Sequence, residues 1–110
     1  MLTSDLNTST KNLTLNFPSD VLSTNVEELK KQLGDLFDSH EIKNADVQQI
    51  NMDLKAANMI DSAGLNFIVS IIRIAKNRKI AITAHIKSLS LHRTFLFTRL
   101  DKQLEIIVAD

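Results

Sequence analysis

Near the middle of the chain, Asp61-Ser62-Ala63-Gly64 places a carboxylate, a hydroxyl and a glycine in succession, just ahead of an apolar pattern of helical period. A hydroxyl at a helix start can accept a bond from a first-turn amide, and the helix dipole favours negative charge at the same place. Ser62 is therefore expected to cap the helix that follows. The same amides and dipole would accommodate a phosphate on Ser62, so modification there need not unfold the protein. The other chemically capable residues are scattered. His40, His85 and His92 have neither metal-ligand spacing nor a nucleophile in register with them. Asp53 stands at the end of a strand pattern, where receiver proteins phosphorylate an aspartate. A receiver also needs an acidic pair near its first strand to hold magnesium, and only Asp5 lies there. Asp53 is expected instead to hydrogen-bond the turn that leads to Ser62. A hydrolase using Asp53 or Asp61 with His85 would require a pocket where these groups converge.

The elements that must position these residues can be traced by periodicity. Met1 to Phe17 reads as two short strands joined by the polar turn Asn7 to Asn12, with Leu13, Leu15 and Phe17 alternating afterwards. Val26, Leu29, Leu33, Leu36 and Phe37 follow helical spacing to about Asp38, and Thr24-Asn25-Val26-Glu27 has the form of a capping box. After the polar stretch Ser39 to Asp46, Ile50, Met52 and Leu54 alternate with Asn51 and Asp53, as in a central strand. Ser62 to about Asn77 is apolar around most of its circumference, which predicts a largely buried helix. The basic residues Arg73, Lys76, Arg78 and Lys79 at its end complement the dipole and do not point to nucleic-acid binding. Ile80, Ile82, Ala84 and Ile86 alternate with Ala81, Thr83 and His85. Ser88 to Leu100 is helical in pattern, and Leu104, Ile106 and Val108 share one face of a last strand. The predicted order is β-β-α-β-α-β-α-β, an α/β fold with a central mixed sheet of about five strands and helices packed on it.

Composition narrows the function classes. Thirteen basic and thirteen acidic side chains give a formal net charge of zero, which removes the long-range field of a dedicated nucleic-acid or membrane-surface binder. The absence of cysteine excludes disulfides, thiolate catalysis and Cys-type zinc sites, and fits a reducing, cytoplasmic setting. No apolar run reaches the roughly 18 residues of a membrane span, and no signal-peptide pattern opens the chain. Two glycines are too few for a phosphate-cradling loop. The expectation is one domain over residues 1–110 that binds other proteins, with no catalysis, metal or cofactor of its own.

The run from Ile50 to Leu65 sharpens this. Its apolar strand, Asp53-Leu54, short spacer, Met59-Ile60 pair and Asp61-Ser62-Ala63-Gly64-Leu65 resemble, without a gap, the signature of STAS-domain anti-sigma factor antagonists. Phe17 to Lys30 is similar to the family's first strand end, turn and helix, and Leu91 to Asp101 to its last long helix and following turn. The resemblance implies a STAS-type fold and a partner-switching role. The unphosphorylated form would bind an anti-sigma factor that is also a serine kinase, releasing a sigma factor; phosphorylation of Ser62 would end binding, and a serine phosphatase would reset the switch. The implied partner surface comprises Asp20, Ser23, Thr24, Asn25, Asp61, Ser62, Ala63, Gly64 and Asn66. The family often has glycine where Asn66 and Arg99 stand, and an acidic residue where Leu22 stands. Asn66 is thus expected to touch a partner, Arg99 to end a helix at some local cost, and Asp20 to be the nearest acidic substitute. The alternative within the family is a STAS subunit or scaffold in a larger assembly, stressosome-like or part of a lipid-transport ATPase, in which Ser62 is a contact only.

Overall fold

Strands β1 (Thr3–Asn7) and β2 (Asn12–Asn16) form an antiparallel pair, and β3 (Gln49–Asp53), β4 (Ala81–Ile86) and β5 (Glu105–Val108) follow in parallel, in the spatial order β1-β2-β3-β4-β5. The computed structural model describes residues 1–109. Helices α1 (Val26–Asp38), α3 (Ser62–Asn77) and α4 (Leu89–Phe97) make the three crossovers. A single extra turn, α2 (His40–Lys43), forms within the polar stretch read as loop, because Ile42 turns into the core and the Ser39 hydroxyl caps its amide. The expected fold class and element order are otherwise those observed.

Strand order equal to chain order has a steric consequence. Parallel crossovers are right-handed, so connections that all step the same way place their helices on the same face of the sheet. Burial follows this rule: Leu13, Ile50 and Ile82 lie side by side, as do Leu15, Met52 and Ala84, and all are buried in one aliphatic core with Phe67, Ile68, Ile71 and Ile72 of α3. The opposite face carries Thr14, Asn51 and Thr83 in one row and Asn16, Asp53 and His85 in the next. Parallel sheets are usually covered on both sides; here the uncovered side satisfies itself by side-chain bonds. The Gln49 amide donates to Thr83 Oγ1 at 2.9 Å and Asn51 Oδ1 at 3.2 Å, and Asn16 donates to Asp5 at 3.1 Å.

Two helix ends depart from the simplest expectation. The capping box before α1 does not form: Asn25 occupies the N-cap position, but its Oδ1 accepts from the Leu22 amide and its Nδ2 donates to the Asp20 carbonyl. Beyond α4, Arg99 adopts φ 61°, the left-handed conformation that favours glycine. For a side-chain-bearing residue this conformation costs about 1–2 kcal/mol.

Candidate functional site

The loops β2–α1 and β3–α3 leave neighbouring strands at the same edge of the sheet and close on each other. Phe17 donates its amide to the Asp53 carbonyl at 3.0 Å, and Val21 pairs with Ile60 as a short parallel bridge, its amide donating to Met59 O at 3.2 Å. Side chains extend this pairing. Asp20 Oδ1 accepts from the amides of Asn58 at 2.7 Å and Met59 at 3.2 Å. Below the loops, Phe17 meets Phe67 of α3 edge-on at 6.3 Å and anchors them to the core.

Gly64 is the point on which this closure depends. It lies inside the first turn of α3, not in a turn before it, and a Cβ there would come within 1.9 Å of the Val21 carbonyl oxygen and 2.7 Å of its carbon. No other residue lets the two backbones approach so closely. Gly64 is accordingly buried, and its place in the expected surface is to pack the loops together.

The cap of α3 is Asp61, correcting the expectation that Ser62 would serve. Asp61 Oδ1 accepts from the Gly64 amide at 2.9 Å, while Oδ2 reaches across to the Ser23 amide at 2.7 Å. These two bonds, Gly64 first and Ser23 second, hold the Asp61 carboxyl below its ordinary value, because each favours the ionised form. A fixed negative charge therefore sits at the helix start at neutral pH. Ser62 becomes the first residue of α3, exposed to solvent beside that charge. Asp61 prevails as cap because its carboxylate can accept from both loops at once, and hydrogen bonds to an ionised acceptor are stronger than those to a hydroxyl.

The remaining expected residues divide into holders and presenters. Asp20 and Asn25 are partly buried and committed to bonds within the loops, whereas Ser23 and Thr24 are exposed beside Asp61. Ala63 is partly exposed, and Asn66 lies on the outer side of α3 one turn from Ser62. Four exposed apolar residues were not anticipated: Met59 (61% exposed) next to the site, and Leu89 (66%), Leu96 (47%) and Phe97 (89%) along α4. Both carried a signal. Ile60 pairs inward as in a strand, so its neighbour Met59 must point out, and five apolar residues among the nine of α4 exceed one core-facing stripe.

Asp53 and His85 are register neighbours on the uncovered sheet face and line a shallow depression with Thr14, Asn51 and Lys55. Asp53 Oδ1 accepts from the Lys55 amide at 3.1 Å, the turn-holding role expected of it, and its other oxygen lies 3.8 Å from Lys55 Nζ. Asp61 is held elsewhere by its own partners, so of the two aspartates considered for a hydrolase only Asp53 stands beside His85. Among the described residues no three His, Asp or Glu side chains are grouped to hold a metal ion.

Fold and site together define a one-sided α/β domain whose distinctive surface lies at the carboxyl ends of its parallel strands, where open α/β sheets place their ligands. The family model for the STAS domain matches residues 3–106, and the chain belongs to the STAS-domain family. Among solved structures it is similar to a candidate anti-sigma factor antagonist from Thermotoga maritima, with 20% identity, a TM-score of 0.79, and coverage of 100% of this chain and 87% of that one. It is also similar to the anti-sigma factor antagonist SpoIIAA in its unphosphorylated form, at 13% identity, TM-score 0.65 and coverage of 100% and 88%. An anti-sigma factor antagonist from Mycobacterium paratuberculosis matches at 14% identity, TM-score 0.68 and coverage of 97% and 86%. At these identities the likeness is one of fold. No curated protein matches the chain. Among the described residues no helix is long and apolar enough to cross a membrane.

Proposed function

We propose that this protein is an anti-sigma factor antagonist that acts by partner switching and catalyses no reaction. In its unphosphorylated form it binds an anti-sigma factor with serine kinase activity and so releases a sigma factor. Phosphorylation of Ser62 ends the interaction, and a serine phosphatase restores it. The observation that carries this reading is the exposed Ser62 hydroxyl on the first turn of α3, beside an Asp61 carboxylate kept ionised by the Gly64 and Ser23 amides. A phosphate there adds about −1.5 to −2 charges next to a charge already fixed in place, and a partner must desolvate both. A loss of roughly 4 kcal/mol weakens binding about a thousandfold.

The contact surface is Ser23, Thr24, Ser62, Ala63 and Asn66, with Met59 as its apolar element; Asp20, Asn25, Asp61 and Gly64 hold the shape. The test is site-resolved mass spectrometry of the protein from its own host, with and without stress, together with Ser62→Ala. A stoichiometric phosphate on Ser62 that changes with conditions is expected. Its absence under every condition would overturn partner switching and favour the scaffold reading. That second reading has support of its own in Leu96 and Phe97, exposed together at the end of α4 and outside a contact centred on Ser62.

A further inference from the structure

Strand β5 ends the sheet on one side, with no strand beyond it among the described residues. Its bonds to β4 fix which of its backbone groups are free. Ile86 is the register partner of Val108, and its carbonyl accepts from the Ala109 amide at 2.7 Å. Alternate residues of a parallel strand turn their amide and carbonyl to the same neighbour. Glu105, Ile107 and Ala109 therefore face β4, and Ile106 and Val108 direct both backbone groups outward. Edge strands are usually blunted by a central charge, a proline or a bulge. The opposite edge, β1, carries exposed Asp5 at its middle, whereas β5 reads Glu105-Ile106-Ile107-Val108, with its single charge at the first position. Ile107 (43% exposed) lies beside His85 on the uncovered face and Val108 (38%) beside Ile86 on the covered one, so apolar surface flanks the free edge on both sides.

We infer that β5 is a self-association edge: a second copy of this chain adds its own β5 antiparallel, about a two-fold axis at Ile107, and the two sheets become one. Centred there, Ile106 and Val108 of each copy exchange both backbone bonds with Val108 and Ile106 of the other, which uses every group they direct outward. Ile107 meets its own copy at a non-hydrogen-bonded position, where opposing side chains come closest. Glu105 falls opposite Ala109, so no like charges face each other. Centring the axis on Glu105 would oppose two carboxylates, and centring it on Ile106 would set Glu105 against Ile107. The formal net charge of zero adds no long-range repulsion between copies. A strand pair this short buries less than the roughly 1,200–2,000 Å² of a stable interface, so the dimer is weak and concentration-dependent. Because the two copies run in opposite directions, their Ser62 surfaces lie at opposite ends of the joined sheet and both stay open. The association is independent of the proposed switching cycle.

Sedimentation equilibrium of the intact protein between about 10 µM and about 1 mM should show a monomer–dimer equilibrium with a Kd of about 0.1–1 mM. Amide spectra over the same range should shift most at Ile106 and Val108. Val108→Pro removes an outward N–H that β4 does not use, a change edge strands tolerate, and should weaken the dimer at least about tenfold. Ile107→Lys, which sets two cations against each other at the axis, should do the same. Met59→Lys makes an equivalent change on the Ser62 surface and should leave the Kd unaltered. Amide dispersion confirms that each variant is folded. A monomer at every concentration, shifts centred on Met59 or on Leu96 and Phe97, or an unchanged Kd for folded Val108→Pro would each overturn the assignment.

Discussion

The two ends of α3 are organised in opposite ways. At the start, Asp61 ties two loops together with charge-assisted bonds, and Gly64 lets the Val21 backbone lie directly against the helix. At the finish, Arg78 stacks on Phe37, Lys79 turns the chain with φ 58°, and a cavity remains beneath. One end is tight, polar and complete at its surface, which suits contact with a rigid partner. The other is more open and is rimmed by the exposed charges of Lys43, Asp46 and Arg78. The buried face of the helix, Phe67 to Ala75, is continuous between them.

Substitutions can break this contrast, and the largest effect belongs at the tight end. Gly64→Val should destabilise the fold by about 3 kcal/mol, since the added atoms have only the Val21 backbone to displace; urea denaturation measures it. Asp61→Asn should lower the midpoint of the same curve and change its pH dependence. The wild-type carboxyl titrates below its ordinary value of 3.8, so its stabilisation is present above that value and lost as pH falls through the lowered one. Asn, which does not titrate, should remove that part of the acid-side slope. Lys79→Gly should stabilise by about 0.5–1 kcal/mol, relief of the left-handed strain exceeding the entropy lost to glycine. Ser62→Ala should change stability by less than about 0.5 kcal/mol, because the exposed hydroxyl holds nothing together. A larger loss would mean that Ser62 has a structural duty, and the contrast between holder and presenter would fail.

Much of this arrangement was legible in the residues. The five strands follow from alternation such as Ile50, Met52 and Leu54, and the bounds of α1 and α3 from their apolar spacing. The run Asp61 to Gly64 marked the start of α3, where the two loops meet. What escaped were choices made between segments distant in the chain. Whether Asp61 or Ser62 caps α3 depends on the Ser23 amide, which only the closed loop brings near. The Thr24 capping box lost to bonds between Asn25 and the Asp20–Leu22 backbone, an alternative equally available to the local sequence. The role of Gly64 is invisible without Val21, and α2 is too short to carry a period.

Since α1, α3 and α4 all lie on one side of the sheet, the other face of the central strands is polar and bonded within itself, with Thr83 buried and Thr14, Asn51 and His85 half-buried. Positions such as Thr14, Asn51 and His85 carry no helix, while their neighbours Leu13, Ile50 and Ala84 are sealed beneath one. A change of charge on this flank would therefore meet other side chains of the sheet and not the aliphatic interior that holds α3 and Ser62 in place.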